Sequence, residues 1–381
     1  MPGHYGESKR HEAIANRAGK EEMKKTVTST VVAMLVSVVG PGRADTESPE
    51  LAKYRRSVDL AVQRALAFMA TLQKPDGLFD DRWRMNAPVA VAGMAYLSVG
   101  HTPGQGPYGD VINRCIDYIL ATPFKVRYVP GGATEGYLVR ANPYGHMYSH
   151  AIATLLLTEV SGMVDPERQK KIDAVLPKAL KIILTAQAIE KEERLSGGWR
   201  YLRNDTSSDL SISGWNLMAL RSARLNGAPV PAEAIEKAIG FVERCHDSGT
   251  GGFAYQPQPG EGSVSPAMSA VGLLCRELCG RHDDEINRRC GAYLLGLAQE
   301  NKLFAGEPTY RAYTIYYASN AMFQLGGKYW EEFAPQLYKH VLNSQSPDGG
   351  WGQANYGRAY ETAMRVLALT VTYRQLPIYQ R

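Results

Sequence analysis

At 381 residues, 44% of them hydrophobic and 21% charged, the chain has ordinary globular composition, which excludes disordered, collagenous and coiled-coil classes. The formal charge of +5 is modest, and seven Lys/Arg against four Asp/Glu fall in residues 1–44. The remainder lacks the dense basic face of a nucleic-acid binder, so no nucleic-acid partner is expected. Tyrosine is the outlier, with 22 Tyr against 8 Phe. A buried phenol needs a hydrogen-bond partner, so this excess points to a polar aromatic surface or cavity.

Met23 is followed by Lys24 and Lys25, the mostly apolar run Val27–Val39, and Gly40-Pro41-Gly42-Arg43-Ala44. This order is that of a secretory signal peptide cut after Ala44, and it predicts an exported protein, periplasmic or extracellular. The run has 13 residues, short of the ~20 that span a bilayer, so no transmembrane anchor is expected in the mature chain. Residues 1–22 are polar and aperiodic and fit either an extended leader or a start at Met23. A buried amino-terminal helix is the competing reading. The expected organisation is a signal region over residues 1–44 and one domain over residues 45–381.

From Leu51 onward, helical 3.6-residue patterns alternate with short Gly-rich connectors in a recurring unit of helix, Gly-rich loop, helix and Gly-ended turn. The pairs are Leu51–Gln73 with Pro88–Val99, Val111–Leu120 with His146–Val160, and Val175–Gln187 with Ser211–Leu225. Ala232–Cys245 with Ala267–Leu278, Glu285–Ala298 with Tyr313–Leu325, and Trp330–Asn343 with Ala359–Tyr373 complete six. Loop glycines recur at intervals of 54, 66, 54, 54 and 44 residues, and no period-two alternation occurs, so the expected class is all-α. Stacked hairpins cover each other's apolar faces. A closed array would put the second helix of each pair in an inner ring and the first in an outer ring; an open solenoid is the alternative.

Two loops share the spacing Gln, three residues, Gly, any residue, aromatic: Gln73 to Phe79 and Gln345 to Trp351. Gly197-Gly198-Trp199-Arg200-Tyr201 and Gly251-Gly252-Phe253-Ala254-Tyr255 are degenerate copies, and Asp209 to Trp215 opens an inner helix with Asp, Ser and Trp. These features resemble the Gln-Trp repeats of the squalene-cyclase and prenyltransferase superfamily. The resemblance covers essentially the whole mature chain and implies an (α/α)6 toroid of six helical hairpins. It also implies a terpene cyclase- or isomerase-like enzyme, or a relic of one. The chain departs from the characterised branches: it has no Asp-x-Asp-Asp cluster, no Asp and Cys separated by one residue in a late inner helix as in the zinc-binding prenyltransferases, and no Cys-Gly-Glu-Gln run as in thioester domains.

Residues near the inner-helix starts are the candidates for chemistry, because helix N-termini carry partial positive charge and unpaired N–H groups. His146 and His150 stand i, i+4 on one face beside Tyr148. They could form an acid/base pair, but the third ligand of a zinc motif is missing, so neither metal nor cofactor is expected. Asp209 is either an N-cap or a cavity acid, and is paired with His150 as the candidate catalytic set. Tyr313, Tyr317, Arg358, Tyr360 and Glu361 are the candidate ligand-binding residues, with packing as the alternative for the tyrosines. The pairing of Cys115, Cys245, Cys275, Cys279 and Cys290 stays open.

Three functions remain: a cyclase-like protein with an isoprenoid or other hydrophobic ligand, a non-catalytic module that binds a small molecule or a protein partner, and an extracytoplasmic carbohydrate lyase or hydrolase. The leader is the part most directly checked. Sequencing the amino terminus of protein recovered from an extracytoplasmic fraction should give a start near Asp45, and an intact Met1 there would refute the signal-peptide reading.

Overall fold

The computed structural model describes residues 48–79, 85–121, 135–140, 146–260, 262–282, 284–306, 308–352 and 357–380. The expected leader and the Gly131-Gly132 connector lie outside them. A short helix, α1 (Pro49–Ala52), precedes six hairpins: α2 (Arg55–Leu72) with α3 (Asn86–Leu97), α4 (Gly109–Leu120) with α5 (His146–Val160), and α6 (Pro166–Gln187) with α7 (Leu210–Leu225). Then come α8 (Ala232–Arg244) with α9 (Pro266–Leu278), α10 (Glu285–Gln299) with α11 (Pro308–Leu325), and α12 (Gly327–Asn343) with α13 (Arg358–Leu369). Among the described residues there is no β-strand, only isolated bridges.

Each odd-numbered helix from α3 packs on the next, and α13 packs on α3, so the inner ring closes. On the outside, α12 packs on α2 across the same seam. The open-solenoid alternative is thereby excluded. Sequence explains which helix goes where. In α3 (NAPVAVAGMAYL) all residues but Pro88 are buried, as a helix needs when both the axis and an outer layer cover it. In α8 a single stripe of Ala234, Ala238, Ile239, Phe241 and Val242 is buried and the rest faces solvent.

Observed boundaries mostly follow the hydrophobic period, with two extensions. Helix α6 starts nine residues before Val175 because Asp165 caps it, accepting from the Glu167 and Arg168 N–H groups, while Pro166 fills the first turn. Helix α11 begins at Pro308, five residues before Tyr313.

The Gly-rich loops are what lock neighbouring hairpins. The Gln345 amide donates to the Ala61 carbonyl on α2, 2.8 Å away, and Gln187 does the same to Ala234 on α8, also at 2.8 Å. Gln73 reaches Val111 on α4 at 3.0 Å. Each glutamine thus ties the end of one outer helix to the next outer helix, and Gln345 ties the sixth to the first. Gly349 has φ +93°, and a Cβ there would sit 2.6 Å from the Arg64 carbonyl oxygen; at Gly197, φ +84°, the clash with Lys237 would be 2.2 Å. Only glycine permits both the backbone conformation and this approach. The following aromatics plug the gap: the indole N–H groups of Trp199 and Trp351 donate to Ile183 and Val341 at 2.8 and 2.9 Å. Their backbone N–H groups donate to Ser213 and Thr362 on the inner helices, both at 2.9 Å.

Trp351 is fully buried. Its replacement by Ala should cost about 3–5 kcal/mol, measured by urea denaturation; a loss below about 1 kcal/mol would refute the locking role of this ring.

Candidate functional site

The six inner helices run parallel, so their N-termini surround one mouth of the ring and their C-termini the other. Asp209 sits at the first mouth. Its position is set locally: the Asp209 N–H donates to the Trp199 carbonyl at 2.9 Å, and the Leu210 N–H donates to the Tyr255 carbonyl at 2.8 Å. The carboxylate caps α7, with Oδ1 accepting from the Ile212 N–H at 3.0 Å and from the Ser211 hydroxyl at 2.6 Å. Asp209 is 0% exposed, and its Oδ2 has no hydrogen-bond partner. Burial raises its pKa to about 6, opposed by the Ser211 and Ile212 bonds, by the Arg200 charge and by the nearby Tyr255 hydroxyl.

Around this acid stand tyrosines from five segments. Tyr148 on α5, Tyr201 and Tyr255 in the loops before α7 and α9, and Tyr313 on α11 all lie within electrostatic reach of Asp209. Tyr360 on α13 lies within reach of Tyr148 and Tyr313. Burial drives the phenols of Tyr148, Tyr313 and Tyr360 up, so all three are neutral O–H donors. The hydroxyls of Tyr201 and Tyr255 bond each other at 2.6 Å, and the Arg200 guanidinium lies over both rings at 5.2 and 5.6 Å. Tyr310, 63% exposed, stands at the rim.

Below the mouth the axis is filled by rings. Tyr313 packs on Tyr317 with centroids 4.6 Å apart, Tyr317 on Tyr316 at 4.9 Å, and Trp215 stacks on Tyr316 at 5.5 Å. The hydroxyls of Tyr313 and Tyr317 and Asp209 Oδ2 are buried and meet no partner at full hydrogen-bond geometry, although Tyr317 acts on the Tyr313 hydroxyl and Tyr255 on the Asp209 carboxylate. Buried polar atoms left unpaired cost about 1–3 kcal/mol each.

The sequence-selected residues separate into two groups. Asp209, Tyr148, Tyr313, Tyr317 and Tyr360 gather at the mouth or directly below it. His150 does not: its Nε2 donates to the Ala179 carbonyl on outer helix α6 at 3.1 Å and its Nδ1 accepts from the Leu138 N–H at 3.1 Å. Burial lowers its pKa to about 4, so it is a neutral brace between layers. His146, four residues earlier on the same face, packs against Tyr137 at 6.3 Å. Arg358 turns to the seam, chelating Asp348 at 2.6 and 2.8 Å over the Phe68 ring. Glu361 pairs with Arg365 at 2.6 Å on that same face of α13, away from Tyr360. The five cysteines carry no disulfide.

Arg200, Tyr201 and Tyr255 were quoted in the sequence only as parts of repeat loops. The signal for the two tyrosines is their common spacing, two residues beyond the plugging aromatic, which aims both at the mouth. Among the described residues no group of three His, Cys, Asp or Glu forms a metal site, and no helix is long and apolar enough to cross a membrane.

No family model and no curated protein matches the sequence. Among solved structures, a variant of the type II terpene cyclase MstE from Scytonema, in complex with merosterolic acid A, superposes with a TM-score of 0.54 at 12% identity, over 86% of this chain and 100% of its own. The α-1,6-mannanase GH76A of Salegentibacter sp. HEL1_6 gives 0.55 at 9%, over 84% of this chain and 99% of its own. A possible GH105 member from Salmonella enterica serovar Paratyphi A gives 0.52 at 12%, over 84% and 94%. The fold is the α/α toroid. At such identities the α/α toroid, the fold expected from the sequence, is the shared property.

The pKa of Asp209 has a thermodynamic consequence with a definite sign. A carboxyl held above its ordinary value stabilises fully below that value and loses the contribution as pH rises through about 6. Asp209→Asn keeps a capping oxygen and cannot ionise. It should match the wild type in stability at about pH 4 and exceed it by about 3 kcal/mol at about pH 8. Urea midpoints across that range check this, and a constant difference would place the carboxylate in solvent.

Proposed function

We propose that the tyrosine-lined mouth binds a small, largely apolar molecule of the isoprenoid class that carries a hydroxyl or carbonyl group, and that Asp209 is the residue engaging that group. The observation that carries this reading is the column of unpaired buried polar atoms, Asp209 Oδ2 and the hydroxyls of Tyr313 and Tyr317, set into otherwise aromatic walls. A pure hydrocarbon would leave all three unsatisfied; a ligand with a polar head and an apolar body matches both. With Oδ1 already accepting two hydrogen bonds, the proton of the neutral acid falls to Oδ2, a buried atom that side chains at the mouth must uncover for a ligand to meet it. Asp209 can therefore donate a proton or a hydrogen bond below about pH 6 and accept one above it.

The MstE neighbour was also captured with geranylgeranyl dihydroxybenzoate, a molecule of this kind. That likeness supports the ligand class and leaves catalysis to experiment: the chain lacks the Asp-x-Asp-Asp acid cluster of class II cyclases. Glycoside hydrolysis is less well supported. It ordinarily takes two carboxyl groups flanking the scissile bond, whereas Asp205, the nearest second acid in sequence, is spent on the Leu202 N–H at 2.7 Å. Export, inferred from Lys24, Lys25 and the run Val27–Val39, is part of the same proposal.

Titration of the protein with geraniol or geranylgeraniol, followed by tryptophan fluorescence, should saturate. Asp209→Asn should weaken binding by roughly 5- to 150-fold, the worth of one buried hydrogen bond of about 1–3 kcal/mol. Absence of saturation with either alcohol would overturn the ligand class.

A further inference from the structure

A groove lies away from the ring axis, between the outer helix α6 and the turn that follows Trp199. Its volume is about 540 Å³, inside the range of about 300–1,000 Å³ typical of small-molecule sites. One wall is a stripe of α6: Lys178, Lys181, Ile182, Ala186 and Ile189 recur at three- and four-residue steps and share a face. Opposite stand Arg203 and Asn204, the two central residues of a turn. The Asp205 N–H closes that turn on the Leu202 carbonyl at 3.2 Å, and the Leu202 N–H donates to Asp205 Oδ2 at 2.7 Å. The turn is tied to α6 by the same contacts that lock the hairpins: Trp199 on the Ile183 carbonyl and Gln187 on the Gly197 carbonyl, both at 2.8 Å.

Both ends of the groove are defined. At one, Glu135 pairs with Lys178, and Gly136 comes so near that a Cβ on it would lie 2.5 Å from the Lys178 Cβ. At the other, the Lys191 ammonium donates to the Ala186, Gln187 and Ile189 carbonyls at 3.1, 3.3 and 3.4 Å. These carbonyls end α6, and the ammonium covers the partial negative charge that would otherwise repel an anion there. Floor and rim differ in character. Ile182 and Ala186 are buried and Ile189 is half-buried, whereas three cations, Lys178, Lys181 and Arg203, stand around them against one carboxylate, Glu135, which Lys178 already engages. The Arg203 guanidinium lies over the ring of buried Tyr137, 5.5 Å from its centroid. Among the described residues, neither the Lys181 ammonium nor the Asn204 amide has a hydrogen-bond or ion-pair partner.

We infer that this groove binds a small amphiphilic anion, a carboxylate or phosphate monoester on a short apolar chain, with Arg203 and Lys181 on the head group and the chain along Ile182, Ala186 and Ile189. An inorganic anion would leave the apolar floor in water, and a neutral hydrocarbon would lie beneath three cations without engaging them; only a molecule with both parts matches both surfaces. Arg203 supplies a planar fork that suits either head group, and Lys181 adds a point charge on a flexible stem beside it. The groove stands on its own residues, none of which belongs to the tyrosine cluster around Asp209.

Calorimetric titration of the intact protein at low ionic strength tests this with decanoate, decyl phosphate and the neutral methyl decanoate, each kept below the concentration at which it self-associates. At least one of the anions should saturate at a single molecule per chain and bind roughly tenfold or more tighter than the ester; where only one does, it assigns the head group. Lys181→Glu should weaken that binding by roughly tenfold or more, and so should Arg203→Gln. Lys170→Glu makes the same charge change as Lys181→Glu on an exposed part of α6 outside the groove and should leave the affinity as it is. Arg203 also packs on Tyr137, so if its variant loses helical circular dichroism, Lys181→Glu decides, since Lys181 is exposed and its replacement leaves the fold intact. Absence of saturation with both anions, equal binding of the ester, or a loss in Lys170→Glu as large as that in Lys181→Glu overturns the proposal.

Discussion

The approach of the Gly-rich loops at Gly77, Gly197 and Gly349 to the carbonyls of the next outer helix is the constraint on which the ring depends. At Gly349 the approach is to Arg64, at Gly197 to Lys237, and in each case a single added methyl would meet a backbone oxygen. The neighbouring outer helix can come that close only because nothing projects from the loop, and the glutamine and the plugging aromatic then reach across a fixed distance. With the spacing between hairpins set this way at successive positions, the angle from one hairpin to the next is set too. The ring returns α12 to α2, and the Gln-Gly-Trp device that joins α6 to α8 also joins the last hairpin to the first.

Closure makes the site. Asp209 is buried because α5, α11 and α13 supply walls that an open array would leave apart; without them, the same residue would be an ordinary solvated N-cap. Its raised pKa follows from those walls, as do the neutral phenols beside it. The two loops that position Tyr201 and Tyr255 are also repeat locks, so residues at the mouth are held by the elements that hold the fold. This economy ties the chemistry of the mouth to the stability of the ring.

How much of this was legible beforehand depends on the range of the interaction concerned. The six pairs and the all-α class were readable because hydrophobic period and turn chemistry are local, and the Gln-Gly-aromatic loops because their spacing is a short motif, although the partners they reach lie on the next hairpin. Asp209, Tyr148, Tyr313 and Tyr360 could be selected because position near an inner-helix start is itself a local property. His150, Arg358 and Glu361 satisfy the same criterion and yet face the outer layer, since a helix start says how deep a residue lies and leaves its azimuth open. That direction is fixed by Ala179, Asp348 and Arg365, partners on other elements or one turn away. Residues 376–380 escape notice for a related reason: they carry no periodicity, and the side chains that hold them, among them Glu159, Arg221 and Gln324, are distant in sequence.

The seam between first and last hairpins also orders the assembly in time. Gln345 meets Ala61 across 284 residues of chain, and Arg64 meets Ser346 across 282. Every other lock joins segments a few tens of residues apart, so hairpins emerging from a ribosome can stack on their predecessors as they appear, whereas the first hairpin keeps an uncovered flank until the last has been made. Long-range contacts of this kind are the slow ones, because chain entropy is spent before they repay it. During that interval the growing molecule is a spiral with two sticky ends, either of which can accept the complementary end of another copy. A ring that forms its first and last contact at once therefore has its greatest exposure to misassembly just before completion.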